Sequence, residues 1–237
     1  MRRKAPEEWG VRCFRCAFMN RKMRVLVTCG PGYEPVDAVR RLTNFSTGQL
    51  GLQLAGSLAA SGHEVICLRG VGATSLLHPA GVQLRPFTTN DNLVSQLGEI
   101  RDAGGVDAVL QVAALCDFRV AAVEQAGSVL EGAGKICSRS GELLLRLVPA
   151  EKVLGRLRGW FPKARLVGWK YEVEGGRDSA LAKGSRQMLE NATDACVVNG
   201  PAYGEGYGWM ERGQEGVHLG RWEDLAGRLL EWLPRGV

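Results

Sequence analysis

Asn44 stands directly before Phe45-Ser46-Thr47-Gly48, and that run opens an amphipathic stretch from Gln49 to Ala60. A Ser-Thr-Gly entry into a helix leaves backbone N–H groups unpaired at the positive end of the helix dipole. That is a ready seat for a phosphate or carboxylate. The Asn44 amide carries both a donor and an acceptor, so it can hold a reacting carbonyl. Three further clusters follow apolar runs: the turn Gly30-Pro31-Gly32, the segment Ala113-Ala114-Leu115-Cys116-Asp117, and Gly168-Trp169-Lys170. Lys135, after Gly134, is a cation placed to swing over such a site. Each piece also has a plain structural reading. Gly30 and Gly32 make a tight turn, Ser46 and Thr47 cap a helix, Asp117 caps a turn, Lys135 is solvated, and Trp169 is core. The full G-x-G-x-x-G spacing is absent, so a dinucleotide fingerprint is unsupported. No Ser-His-Asp set, paired-carboxylate signature or Walker-type lysine is present.

The elements that must position these residues alternate between strand and helix patterns. Arg24–Cys29, Glu64–Leu68, Val82–Phe87 and Val106–Ala114 read as strands; Gly48–Ser61 and Asp91–Ala103 read as helices, the second capped by Asn90 or Asp91. The continuous apolar run Val106–Ala114 is the kind buried on both faces of a parallel sheet. The β-α-β-α-β order predicts an α/β fold: a doubly wound, mostly parallel, Rossmann-like sheet with helices on both faces. In such sheets ligands sit at the carboxyl ends of the strands, where all the clusters above fall. After Asp117 the pattern changes. Lys135–Ser138 and Glu142–Leu147, flanking Arg139-Ser140-Gly141, predict an inserted hairpin. Glu151–Arg158 and Ser179–Asn191 read as helices, and Arg165–Tyr171 and Ala195–Asn199 as strands. Trp209–Gly220 reads as a second hairpin and Trp222–Trp232 as the last helix.

The chain has 237 residues, 45% hydrophobic and 23% charged, enough apolar content for a sizeable core and too little charge for a disordered chain. The net charge of +5 resides in residues 1–22, which hold seven Lys and Arg against Glu7 and Glu8. The body from Met23 is balanced, which argues against a nucleic-acid surface. Residues 1–22 read as a disordered basic extension, or as lying upstream of a start at Met23; residues 23–237 read as one domain. No apolar run reaches the roughly 20 residues of a membrane span, and no secretory leader is visible. The seven cysteines are scattered, mostly in apolar runs, as expected in a reducing cytoplasm. Cys13 and Cys16 form a lone C-x-x-C with no second pair, and His63, His78 and His218 are far apart, so no metal site is expected.

Read together, the clusters resemble the phosphopantothenate–cysteine ligase family. The resemblance rests first on Glu34-Pro35-Val36-Asp37-Ala38-Val39-Arg40-Arg41-Leu42-Thr43-Asn44-Phe45-Ser46-Thr47-Gly48-Gln49-Leu50-Gly51. It continues through Ala113–Phe118, Lys135-Ile136-Cys137 and Val167–Glu172, covering roughly residues 23–235. It implies activation of the 4′-phosphopantothenate carboxylate as an acyl-nucleotide, with release of pyrophosphate, then amide formation with cysteine. The nucleotide is CTP or ATP, with Mg²⁺ held largely by phosphate oxygens and water. No flavin decarboxylase segment is recognised, so no FMN is expected. By matching, Asn44 and Lys135 are catalytic. Arg41, Thr43, Ser46, Thr47 and Gly48 hold substrate. Gly30, Gly32, Ala113, Ala114, Asp117, Gly168, Trp169 and Lys170 contact nucleotide. A cytoplasmic homodimer without nucleic-acid or membrane partners is implied. Departures from the family pattern are Cys137 in place of a lysine, Gln187 and Asn191 where paired lysines are usual, Gly200 for an aspartate, and an altered loop Tyr203–Met210. They leave two other readings: a ligase for another carboxylic acid, or a non-catalytic paralogue that binds nucleotide or coenzyme A precursors. A nicotinamide dehydrogenase is disfavoured, since Leu68-Arg69-Gly70 offers no acidic ribose partner.

Overall fold

The computed structural model describes residues 22–130, 132 and 134–234. Most of the basic segment 1–22, with Cys13 and Cys16, lies outside the described residues. The first strand, β1 (Arg24–Cys29), is followed by a two-stranded ribbon, β2 (Tyr33–Pro35) and β3 (Arg41–Thr43), then by helix α1 (Gln49–Ala60). Next come β4 (Glu64–Gly70), β5 (Val82–Phe87), α2 (Asn90–Asp102) and β6 (Ala108–Gln111). A small antiparallel unit follows: β7 (Phe118–Gln125), β8 (Ser128–Val129) and β9 (Leu143–Pro149). The chain then forms α3 (Val153–Trp160), β10 (Arg165–Tyr171), α4 (Arg177–Glu190), β11 (Ala195–Asn199), β12 (Tyr207–Glu211), β13 (Val217–Leu219) and α5 (Trp222–Trp232).

The main sheet has eight strands in the order β5-β4-β1-β6-β10-β11-β12-β13. Every pair from β5 through β11 is parallel; β12 and β13 extend the edge as an antiparallel hairpin. The chain leaves β1 toward β4 and β5, then returns across it to β6. The strand order therefore reverses between β1 and β6, which opens a crevice at their carboxyl ends. The expected α/β architecture is observed.

Two apolar layers hold the sheet. On one face Val25, Val27, Leu110 and Val197 pack against Leu52, Leu54 and Leu58 of α1 and Leu225 and Leu229 of α5. On the other, Leu26, Val109 and Leu166 pack against Leu93 and Leu97 of α2 and Leu157 of α3. Each fully buried leucine contributes about 2 kcal/mol. Helix α1 lies flush on β1 because its facing residue is Gly51, where an added methyl would collide with the Cys29 Cβ.

Three expectations need correction. The N-cap of α2 is Thr89, whose side chain accepts from the Asn92 N–H at 3.1 Å; Asn90 is drawn away by bonds to Cys116. The strand expected at Val106–Ala114 pairs only over Ala108–Gln111, because the chain beyond it bends into the crevice. Lys135–Ser138 is not a strand: residues 138–140 form a single 3₁₀ turn, and β9 pairs with β7. β7 escaped notice because its exposed and buried positions do not alternate cleanly and a register shift falls between Val120 and Ala122. No helix among the described residues is long and apolar enough to cross a membrane.

The Gly51 contact makes a paired prediction. Gly51→Ala should destabilise the fold by about 1–3 kcal/mol by forcing α1 off β1. Gly98→Ala, in α2 with open space around it, should stabilise by about 0.5–1 kcal/mol through helix propensity. Urea melts of the two variants check the opposite signs.

Candidate functional site

At the crevice, residues 113–116 are stitched to the end of β1, the turn after it, the ribbon and the start of α2. Thr28 Oγ1 accepts from the Ala113 N–H at 3.2 Å. The Ala114 N–H donates to the Gly30 carbonyl at 3.0 Å, and the Ala114 carbonyl accepts from the Gly32 N–H at 3.1 Å. Asn44 Nδ2 donates to the Leu115 carbonyl at 2.8 Å. Asn90 closes the far end, donating to the Cys116 carbonyl at 2.8 Å and accepting from its N–H at 3.3 Å. Gly30 supports this with a left-handed φ of 75°, which turns its carbonyl toward Ala114. Thr43 Oγ1 donates to the Gly32 carbonyl at 2.8 Å, tying the ribbon that carries Asn44 to the same turn.

A cavity of about 980 Å³ opens over this segment. Asn44 and Phe45 form one wall, residues 111–117 the floor, and Lys152, Trp169, Lys170, Lys183 and Arg186 the opposite side. The polar atoms lining it are unusually bare. Gln111 is 6% exposed, yet both of its carboxamide heteroatoms lack a hydrogen-bond partner, as do Trp169 Nε1 and Asn199 Oδ1. Buried polar groups are nearly always satisfied, so this concentration marks a place built for a ligand or for water.

The cations around the cavity are each paired. Lys152 pairs with Asp117, and Arg186 lies 3.8 Å from Glu190. Glu172 takes both Lys183 and Lys170, the latter at 2.9 Å. Burial pushes the Glu172 carboxyl up, but hydrogen bonds and charge from Lys183 and Lys170 outweigh it and hold it below the usual carboxylate range. Burial, with the charges of Glu34 and Asp117, pushes the Cys116 thiol up. It stays protonated and is no nucleophile.

Of the residues expected from sequence, Asn44, Ala113, Ala114, Asp117, Trp169 and Lys170 line the cavity together. Gly30 and Gly32 stand behind its floor. Gly168 leaves room for Gln187, whose Nε2 reaches the Trp169 carbonyl at 3.1 Å. Arg41 stacks on Tyr33 at 5.0 Å. Thr47 accepts from the Gln49 N–H at 3.2 Å, and Gly48 is the N-cap of α1 at φ 75°. Arg41, Thr43, Ser46, Thr47 and Gly48 are not among the lining residues, and neither is Lys135. Sequence reasoning passed over Gln111, Asn90, Lys152, Glu172 and Asn199. Gln111 carried a signal, a polar residue inside an apolar strand; the others become visible only when the strand ends are brought together.

The profile of the DNA/pantothenate metabolism flavoprotein C-terminal domain matches residues 20–219, and the chain belongs to that family. It is 31% identical over 178 residues to the coenzyme A biosynthesis bifunctional protein CoaBC of Thermococcus kodakarensis, covering 74% of this chain and 40% of that protein. It is 32% identical over 180 residues to a cysteine/cysteine sulfinic acid decarboxylase from an unknown prokaryotic organism, covering 74% and 45%. The chain thus spans less than half the length of these curated relatives. Among solved structures, the DNA/pantothenate metabolism flavoprotein from Streptococcus pneumoniae shares the fold at a TM-score of 0.75 and 24% identity, covering 88% of this chain and 97% of that one. The C-terminal domain of CoaBC does so at 0.70 and 22%, covering 89% and 93%.

The lysines that line the cavity set up a test with an anion. A charge-assisted contact is worth about 1.5–3 kcal/mol, so Lys183→Met should weaken inorganic pyrophosphate binding about tenfold or more. Titration calorimetry reads this; unchanged affinity would remove Lys183 from the site.

Proposed function

We propose that the chain is a phosphopantothenate–cysteine ligase that uses CTP or ATP. The observation that carries this reading is the joining of Asn44 to the stitched segment 113–116 at the mouth of one cavity. Membership of the family and the similarity to CoaBC support it.

A carboxylate is a poor acyl donor until one of its oxygens becomes a good leaving group. In the first step a carboxylate oxygen attacks the α-phosphorus of the nucleotide, and the bond to pyrophosphate breaks. In the second the cysteine amine attacks the acyl carbon, loses a proton, and the nucleoside monophosphate leaves. Both steps build charge on phosphate or carbonyl oxygens, so fixed donors dominate the catalysis. Asn44 holds the activated carbonyl and the incoming amine. Lys135 neutralises phosphate charge in the first step, and Lys152, Lys170 and Lys183 receive the polyphosphate. The Ala113–Ala114 backbone and Asp117 contact the nucleoside, and the unpaired groups of Gln111, Trp169 and Asn199 hold its polar edges. Arg41, Thr43, Ser46, Thr47 and Gly48 hold the phosphopantothenate.

Among the described residues no group of three metal-ligating side chains occurs. Mg²⁺ needs none, since it is held by phosphate oxygens and water with one or two carboxylates. Glu151 at the cavity is suited to that part. Mg²⁺ would supply charge neutralisation on the leaving pyrophosphate. Exposed Phe118, Leu144 and Leu147 in the three-stranded unit support a homodimer, and the cytoplasm is the compartment this chemistry fits. Gln187 and Asn191, where the family pattern has paired lysines, line the cavity as neutral amides and bear on which nucleotide is used.

Pyrophosphate release with 4′-phosphopantothenate, comparing CTP with ATP and each with and without cysteine, tests the proposal. Nucleotide-dependent release and formation of phosphopantothenoylcysteine are expected. Asn44→Asp should keep the fold and lose amide formation by about 10²-fold or more. No release with either nucleotide from folded protein would overturn the reading.

A further inference from the structure

One buried carboxylate ties together two segments far apart in sequence. Asp37 lies in the turn between β2 and β3, and its side chain is 0% exposed. One oxygen accepts from the backbone N–H groups of Val39 at 2.9 Å and Arg40 at 2.6 Å, closing its own turn. The other accepts from the Ile136 N–H at 3.1 Å, across 99 residues of sequence. That second oxygen also pairs with the Arg40 guanidinium. The guanidinium in turn donates through both terminal nitrogens to the Ile136 carbonyl, each at 3.3 Å. The Ala38 N–H closes onto the Gly134 carbonyl at 3.3 Å.

Both neighbours of Lys135 are therefore anchored to one turn, and that turn leads directly into the strand before Asn44. A turn alone needs only one acceptor, which asparagine or serine supplies as well. The second oxygen serves the remote Ile136 N–H and the Arg40 guanidinium, which itself reaches the Ile136 carbonyl. Burial would raise the Asp37 carboxyl, but the N–H donors of Val39, Ile136 and Arg40 and the charge of Arg40 hold it at about 2. The clasp is ionised at any working pH.

We infer that Asp37 is a positioning residue for Lys135, fixing the Lys135 segment relative to Asn44 through the Ile136 N–H and the Arg40 guanidinium. This rests on the proposed part of Lys135 in the activation step. Asp37→Asn is the sharpest probe, because it keeps the turn acceptor and turns an amide donor toward two donors.

The test is a double-mutant cycle on pyrophosphate release, using the full chain as wild type, Asp37→Asn, Lys135→Gln and the double variant. Asp37→Asn should lower kcat about 10–100-fold with little change in nucleotide KM, as expected for an ångström-scale misplacement. The double variant should be no slower than Lys135→Gln alone. Multiplying single effects, or a wild-type rate in Asp37→Asn, would overturn the inference while leaving the ligase reading intact. A wild-type rate in Lys135→Gln would overturn the role of Lys135, and the inference with it. Should Asp37→Asn unfold, Asp37→Ser, whose hydroxyl still serves the turn, runs through the same cycle with the same deciding outcomes.

Discussion

The site depends on one constraint: the backbone that leaves β6 must stay extended beyond the sheet while its polar groups remain satisfied. Past Gln111 the chain leaves its pairing with β10, which itself runs on to Tyr171, and keeps an isolated bridge from Ala114 to Pro31 on the β1 side. The hydrogen bonds are supplied instead by Thr28, Gly30 and Gly32 from the β1 side, Asn44 from the ribbon, and Asn90 from the start of α2. Buried backbone groups left without partners cost about 1–3 kcal/mol each, so these segments are held in one arrangement. The crossing of the chain between β1 and β6 makes that arrangement a crevice.

Charge is organised around the same crevice. The body of the chain is nearly neutral, yet lysines gather on one side of the cavity, each matched by a carboxylate. The Lys152–Asp117 pair is well exposed on both sides and costs little to open, whereas Glu172 is 9% exposed and its pairing with Lys170 and Lys183 is the costlier one to break. Of the lysine pairs at the cavity, Lys152–Asp117 is thus the one that opens at least cost. The Glu172 backbone, not its side chain, holds the following loop through Asn199 and Ala202. The carboxylate itself is left to the lysines.

Much of this was legible in the sequence. The alternation of apolar runs with amphipathic stretches gives the doubly wound sheet, and placing Asn44, Ala113–Asp117 and Gly168–Lys170 at strand ends brings them to one edge. The three-stranded unit was not legible, because β7 mixes Arg119, Ala121 and Ala122 into a half-exposed strand and its partner is separated from it by the Lys135 segment. The cap of α2 was misplaced for an instructive reason. Asn90 has strong capping chemistry, but a tertiary demand from Cys116 claims its amide and leaves the cap to Thr89. Lys152 and Glu172 have no local signature at all; only their distances to other chain segments give them a part.

The most direct measurement is a crystal structure of the chain with Mg²⁺ and CTP or ATP at saturating concentration. The expected density lies in the cavity, with the nucleoside against Ala113 and Ala114 and the phosphates among Lys152, Lys170 and Lys183, their carboxylate partners released. A nucleotide bound elsewhere, or an empty cavity in a folded protein at that concentration, would contradict the assignment of this crevice as the activating site.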